Sequence, residues 1–81
     1  MKKNGTDFKK NFEIALKNYN KKDYKSAEIY CVKILDIDPY HFSSISLLAT
    51  IAAVNKNYVK ATELFKKAIE IQPQNITVIH N

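Results

Sequence analysis

Few side chains in this 81-residue chain carry reactive chemistry, and they do not gather in the sequence. Cys31 is the one thiol, which excludes an internal disulfide and any cysteine-based metal cluster. It falls within an apolar stripe, where a free cysteine acts as a small hydrophobe; a reactive thiol is the other reading. His41 and His80 lie 39 positions apart (80 − 41) without clustered acidic or cysteine partners, so neither metal binding nor acid–base catalysis is expected of them. A single glycine is too few for a phosphate-cradling loop. All 13 basic residues are lysine, and without the planar guanidinium, specific base or phosphate reading is not expected. Ser46 and Thr50 stand one helical turn apart. Their hydroxyls suit a peptide backbone, or the preceding turn of their own helix. The chain reads as a non-enzyme without a cofactor.

The net charge of +5 is unevenly spread. Residues 1–33 carry nine lysines against four acids, residues 34–55 two acids and no lysine, and residues 56–81 four lysines against two acids. The lysines suit either an acidic partner or solvated helix faces. Non-specific nucleic-acid binding would need a stacking platform beside them, and none is apparent. Residues 1–7 form a basic extension with no apolar run behind it, unlike a secretory signal. The uncharged stretch from Pro39 to Asn55 contains three serines, a threonine and a histidine and is shorter than the roughly 20 apolar residues of a membrane span. With a reduced thiol, a cytoplasmic location is expected.

The elements that would position these groups come from an internal repeat. An offset of 34 aligns Phe8 with Phe42, Ala15 with Ala49, Lys22 with Lys56, Tyr24 with Tyr58, Ala27 with Ala61, Lys33 with Lys67, Ile37 with Ile71 and Pro39 with Pro73. Each unit reads as two helices. Tyr58, Ala61, Phe65, Ala68 and Ile69 form one face of a 3.6-residue period, and Tyr24, Ala27, Cys31, Ile34 and Leu35 form the same face one unit earlier. Asp23 and Asn57 precede these helices as N-caps, and Pro39 and Pro73 follow them as stops. Phe8, Phe12, Ala15 and Tyr19 mark the preceding helix. Glu13–Lys17 and Glu63–Lys67 are spaced for pairing at i,i+4. The segment 42–55 has no charge on any side, which predicts a buried central helix whose Ala49, Ala52 and Ala53 admit close neighbours. The predicted helices are 7–20, 24–37, 42–55 and 58–71, with a stub at 76–81.

This pattern resembles the tetratricopeptide repeat. Ala15, Tyr24, Ala27 and Pro39 match that family's unit, as do Ala49, Tyr58, Ala61, Phe65, Ala68 and Pro73. The likeness covers residues 8–81. It implies an all-α, solenoid-like stack of antiparallel helix hairpins: a first unit at 8–41, a second at 42–75, and the start of a third at 76–81. Asn11, Asn18, Cys31 and Ile34 depart from the family pattern. The run Ala27-Glu28-Ile29-Tyr30, with Ile34-Leu35, Pro39 and Leu47-Leu48-Ala49, is similar to bacterial repeats that precede glycosyltransferase or sulfotransferase domains.

The resemblance implies a scaffold for protein–protein interaction, binding a peptide or helix in a concave groove lined by the first helix of each unit. Position by position, that groove takes Lys9, Phe12, Leu16, Tyr19 and Asn20 from the first unit. It takes Ser43, Ser46, Thr50, Ala53 and Val54 from the second, and Thr77 and His80 from the stub. The family's carboxylate clamp is absent, since Phe12 and Leu16 occupy its lysine and asparagine positions; an asparagine ladder is absent too, with Glu13, Leu47 and Asn81 in its places. Phe12 and Tyr19 either anchor an apolar side chain of the partner or pack on their own unit's second helix. The alternative function is an N-terminal appendage that positions substrate for, or oligomerises, a larger transferase enzyme. A further expectation is an exposed apolar end around Leu64, Phe65, Ala68 and Ile69, which either self-associates or is covered by further residues. That end also bears on stability, because so small a core rarely supplies more than about 3–5 kcal/mol alone.

Overall fold

A computed structural model describes residues 8–72, which form four α-helices: α1 Phe8–Asn20, α2 Tyr24–Ile37, α3 Phe42–Val54 and α4 Tyr58–Ile71. The bounds of α3 and α4 are those of α1 and α2 displaced by 34 residues (42 − 8, 54 − 20, 58 − 24, 71 − 37). Extensive packing joins consecutive helices: α1 with α2, α2 with α3, and α3 with α4. The predicted start of a third unit lies outside the described residues, as does Pro73.

The joint after α1 and the joint after α3 are built alike. Lys22 and Lys56 take left-handed backbone, with φ of 68° and 66°. The Lys22 N–H donates to the Tyr19 carbonyl at 2.9 Å and the Asp23 N–H to the Asn18 carbonyl at 2.8 Å. One unit later, Lys56 donates to Ala53 at 2.9 Å and Asn57 to Ala52 at 2.8 Å. These paired bonds are a Schellman ending, which satisfies carbonyls that a helix leaves free at its C-terminus. The next helix starts at once. The Asp23 carboxylate accepts the Ser26 N–H at 3.2 Å and the Ser26 hydroxyl at 2.9 Å, and Asn57 Oδ1 accepts the Lys60 N–H at 3.4 Å.

The expected uncharged central helix is α3, which buries Ser44, Ile45, Leu47, Leu48, Ala49, Ile51 and Ala52. Its Leu47, Leu48 and Ile51 form a cluster with Ala15 of α1 and with Ala27 and Cys31 of α2. Full burial of an Ile or Leu side chain is worth about 1.5–3 kcal/mol, so α3 supplies the largest share of the core. The corresponding positions of α1 are unlike it. Lys10, Glu13 and Lys17, the counterparts of Ser44, Leu47 and Ile51, are all exposed. The first helix thus presents charge where α3 presents the surface that seats it on α2.

The two pairs spaced at i,i+4, Glu13–Lys17 and Glu63–Lys67, do not close to ion pairs. A charged contact forms between helices instead, from Lys60 Nζ to Glu28 Oε2 at 3.8 Å. Both side chains are about half exposed, so the contact is worth at most about 1 kcal/mol.

Candidate functional site

The groove positions predicted on α1 stay at or near the surface. Lys9 and Asn20 are exposed, and Leu16 is 38% exposed. Phe12 and Tyr19 are half-buried and pack against the core cluster. Tyr19 meets Tyr24 edge-on with ring centroids 5.5 Å apart, a contact within its own hairpin. Phe12 leans toward the chain that enters α3, its ring 5.9 Å from that of His41. Tyr19 thus packs on the second helix of its own unit, the second of the two readings, while the ring contact of Phe12 is to His41 ahead of α3; both side chains stay half-buried.

On α3, Ser43 and Val54 are exposed, and Ser46, Thr50 and Ala53 are half-buried. The Thr50 hydroxyl donates to the Ser46 carbonyl at 3.0 Å, so it is bonded to the preceding turn of its own helix. Thr77 and His80 lie outside the described residues. The bridge between the α1 and α3 sets is aromatic: Phe8 and Phe12 flank the His41 ring at 5.8 and 5.9 Å.

His41 has a structural task that its residue type did not announce. Its Nδ1 accepts the Ser44 N–H at 3.2 Å and lies 2.8 Å from the Ser44 hydroxyl, capping α3. Asp38 orders the approach, its carboxylate accepting the Tyr40 N–H at 3.1 Å. Imidazole is an unusual cap, and the clue available in sequence was its place directly before an apolar helix with serine three residues on. Asn18, one of the departures from the family pattern, donates from Nδ2 to the Ile14 carbonyl at 2.9 Å within α1.

Cys31 is fully buried between Ala27 and the α3 cluster. Burial, and after it the Glu28 carboxylate, pushes its thiol up to about 12, which leaves essentially no thiolate at neutral pH. The reading of a small hydrophobe describes it. Among the described residues, no three His, Cys, Asp or Glu side chains gather where they would hold a metal ion, and no helix is long and apolar enough to cross a membrane.

Depressions mark the surface of the described residues. A recess of about 80 Å³ is lined by Glu28, Leu48, Ile51, Ala52, Asn55, Asn57 and Lys60, and the Lys60–Glu28 pair crosses it. A more open one lies along α1 beside Lys10, Glu13, Ile14 and Lys17. Neither includes a predicted groove residue. The predicted positions on α1 and α3 are of mixed aromatic, hydroxylic and aliphatic character.

No protein-family model matches the chain, and comparison with curated proteins and with solved structures gave no significant match.

Proposed function

We propose that this chain is a tetratricopeptide-like interaction module that binds an extended peptide or a helix across the surface formed by α1 and α3. The observation that carries this reading is the recurrence at 34 residues of helix bounds, Schellman endings and N-caps together. Such coincidence at three levels is what a hairpin repeat requires, and hairpin-repeat arrays work by offering extended surfaces to other chains. The exposed members of the surface, Lys9, Leu16, Asn20, Ser43 and Val54, would make the outer contacts, while the half-buried Phe12 and Tyr19 would serve as anchors. A buried, reduced Cys31 accords with a place in the cytoplasm.

The test is selection of peptides from a displayed random library with the whole chain, followed by amide shift mapping of a selected peptide. Shifts centred on Lys9, Leu16, Asn20, Ser43 and Ser46, with binding lost in Leu16→Asp, are expected. Failure to select any peptide, or shifts confined to α2 and α4, would overturn the reading.

A further inference from the structure

We propose that the chain pairs with a second copy of itself through the outward face of α4, in a twofold, antiparallel arrangement. Tyr58, Thr62, Phe65 and Ile69 are all exposed and follow one another at spacings of 4, 3 and 4 along α4. That spacing draws a single uncharged seam down a helix, the pattern on which another helix packs. The internal repeat says what such a seam is for. Its counterparts on α2 are Tyr24, Glu28, Cys31 and Leu35, and there α3 seats Leu47, Leu48 and Ile51 against Cys31. Cys31 is 0% exposed as a result, whereas Phe65 at the equivalent place on α4 is 38% exposed and Ile69 is 39% exposed.

The two ends of the molecule decide which copy-to-copy contact is available. A head-to-tail stack would lay α1 of one copy on α4 of the next. It would bring Ile14 to the place of Leu48 but Glu13 and Lys17 to the places that Leu47 and Ile51 hold over α2, and so strip water from two charged side chains against Phe65. That contact is also heterologous and would repeat without limit. Tail-to-tail contact has neither fault. In an antiparallel pair, position sums are constant, and here 58 + 69 and 62 + 65 are both 127. Tyr58 therefore meets Ile69 of the second copy, and Thr62 meets Phe65, so the seam is its own complement and the assembly closes at two. One helix face on each side is a small interface, below the roughly 1,200 Å² of a standard one, so the dimer is a weak one that depends on concentration.

Sedimentation equilibrium of the full chain from about 10 µM to 1 mM tests this, a range spanning weak association constants. A monomer–dimer equilibrium is expected. Thr62→Lys changes an exposed residue at the middle of the seam to a good helix former; it should keep the helical spectrum and weaken the dimer roughly tenfold or more by placing like charges across the twofold axis. Leu16→Lys, on α1, should leave the dimer intact. A monomer at every concentration would overturn the proposal, as would a dimer that Thr62→Lys does not weaken, growth beyond dimers, or a monomer that dimerises only once residues 73–81 are removed. The last result would mean that those residues cover the seam within one chain. None of these outcomes depends on whether α1 and α3 bind a peptide.

Discussion

Replacing Lys22 and Lys56 with glycine should make the protein more stable. Both residues hold φ near +67° (values of 68° and 66°), where a side chain with a Cβ crowds the following carbonyl. That crowding costs about 1–2 kcal/mol for an L-residue. Glycine removes it but frees the unfolded chain, which takes back about 0.4–1 kcal/mol. The net gain is about 0.5–1 kcal/mol at each joint. Alanine is the proper reference, because it also loses the lysine charge near the helix C-terminus yet keeps the Cβ. The two joints share no hydrogen bond, so the effects should add, to about 1–2 kcal/mol for the double glycine variant over the double alanine variant. In a chain of this size, that raises Tm by roughly 4–16 °C. Thermal and urea unfolding followed by circular dichroism at one protein concentration would measure it. Glycine variants no more stable than their alanine counterparts would refute the reasoning, for the two lysines would then carry no backbone cost.

Two other expectations concern titration and reactivity. Hydrogen bonds from the Ser26 hydroxyl and then from its N–H hold the Asp23 carboxyl below its ordinary value of 3.8, against the opposing effect of desolvation. A depressed folded value means that the charged cap stabilises the fold above that ordinary value and that its help fades as pH falls through the folded value. Acid unfolding profiles of Asp23→Asn, which keeps a capping oxygen but cannot titrate, should be flatter in that window; an unchanged profile would count against the cap. The raised Cys31 thiol implies a mirror-image dependence, with stability present below 9.0 and lost as pH climbs toward about 12. At pH 8, modification of Cys31 by a thiol reagent should wait on opening of the fold and accelerate strongly in denaturing urea. Equal rates in both conditions would show an accessible thiol.

The helices were legible because two independent signals agreed along the chain. The apolar stripe Tyr24–Ala27–Cys31–Ile34–Leu35 and the caps at Asp23 and Asn57 bracket segments that differ from the observed helices by a residue at most. The left-handed lysines were not legible as such. Glycine or asparagine usually marks that backbone, and here only the recurrence of lysine at both joints hinted at a special place. The cap by His41 was hidden for a similar reason, since its side chain is not one that commonly caps. Charge pairing went astray because helical spacing brings Glu63 and Lys67 near each other without holding two flexible, solvated side chains together. The Glu28–Lys60 contact depends on how α2 and α4 are set across α3, which no local pattern states. The candidate surface was readable as far as residue type and exposure. Its use was not, because recognition is written in the difference between bound and free states, to which the spacing of Phe12, Leu16 and Tyr19 is indifferent.

Asp23 and Asn57 each do two things at once: the backbone N–H closes one helix while the side chain opens the next. A joint of that kind has no length to spare. One inserted residue would separate the closing bond from the opening bond, and both helix ends would lose their partners together. The turn between α2 and α3 is organised differently. There Asp38 ends one helix, His41 starts the other, and Pro39 and a largely exposed Tyr40 stand between them. Among the described residues, joints that share one residue between two helices thus alternate with a joint that has two residues between its caps. Insertions, tags or proteolytic cuts belong at Pro39–Tyr40, and amide exchange should resolve the molecule into hairpins that open as wholes rather than into separate helices.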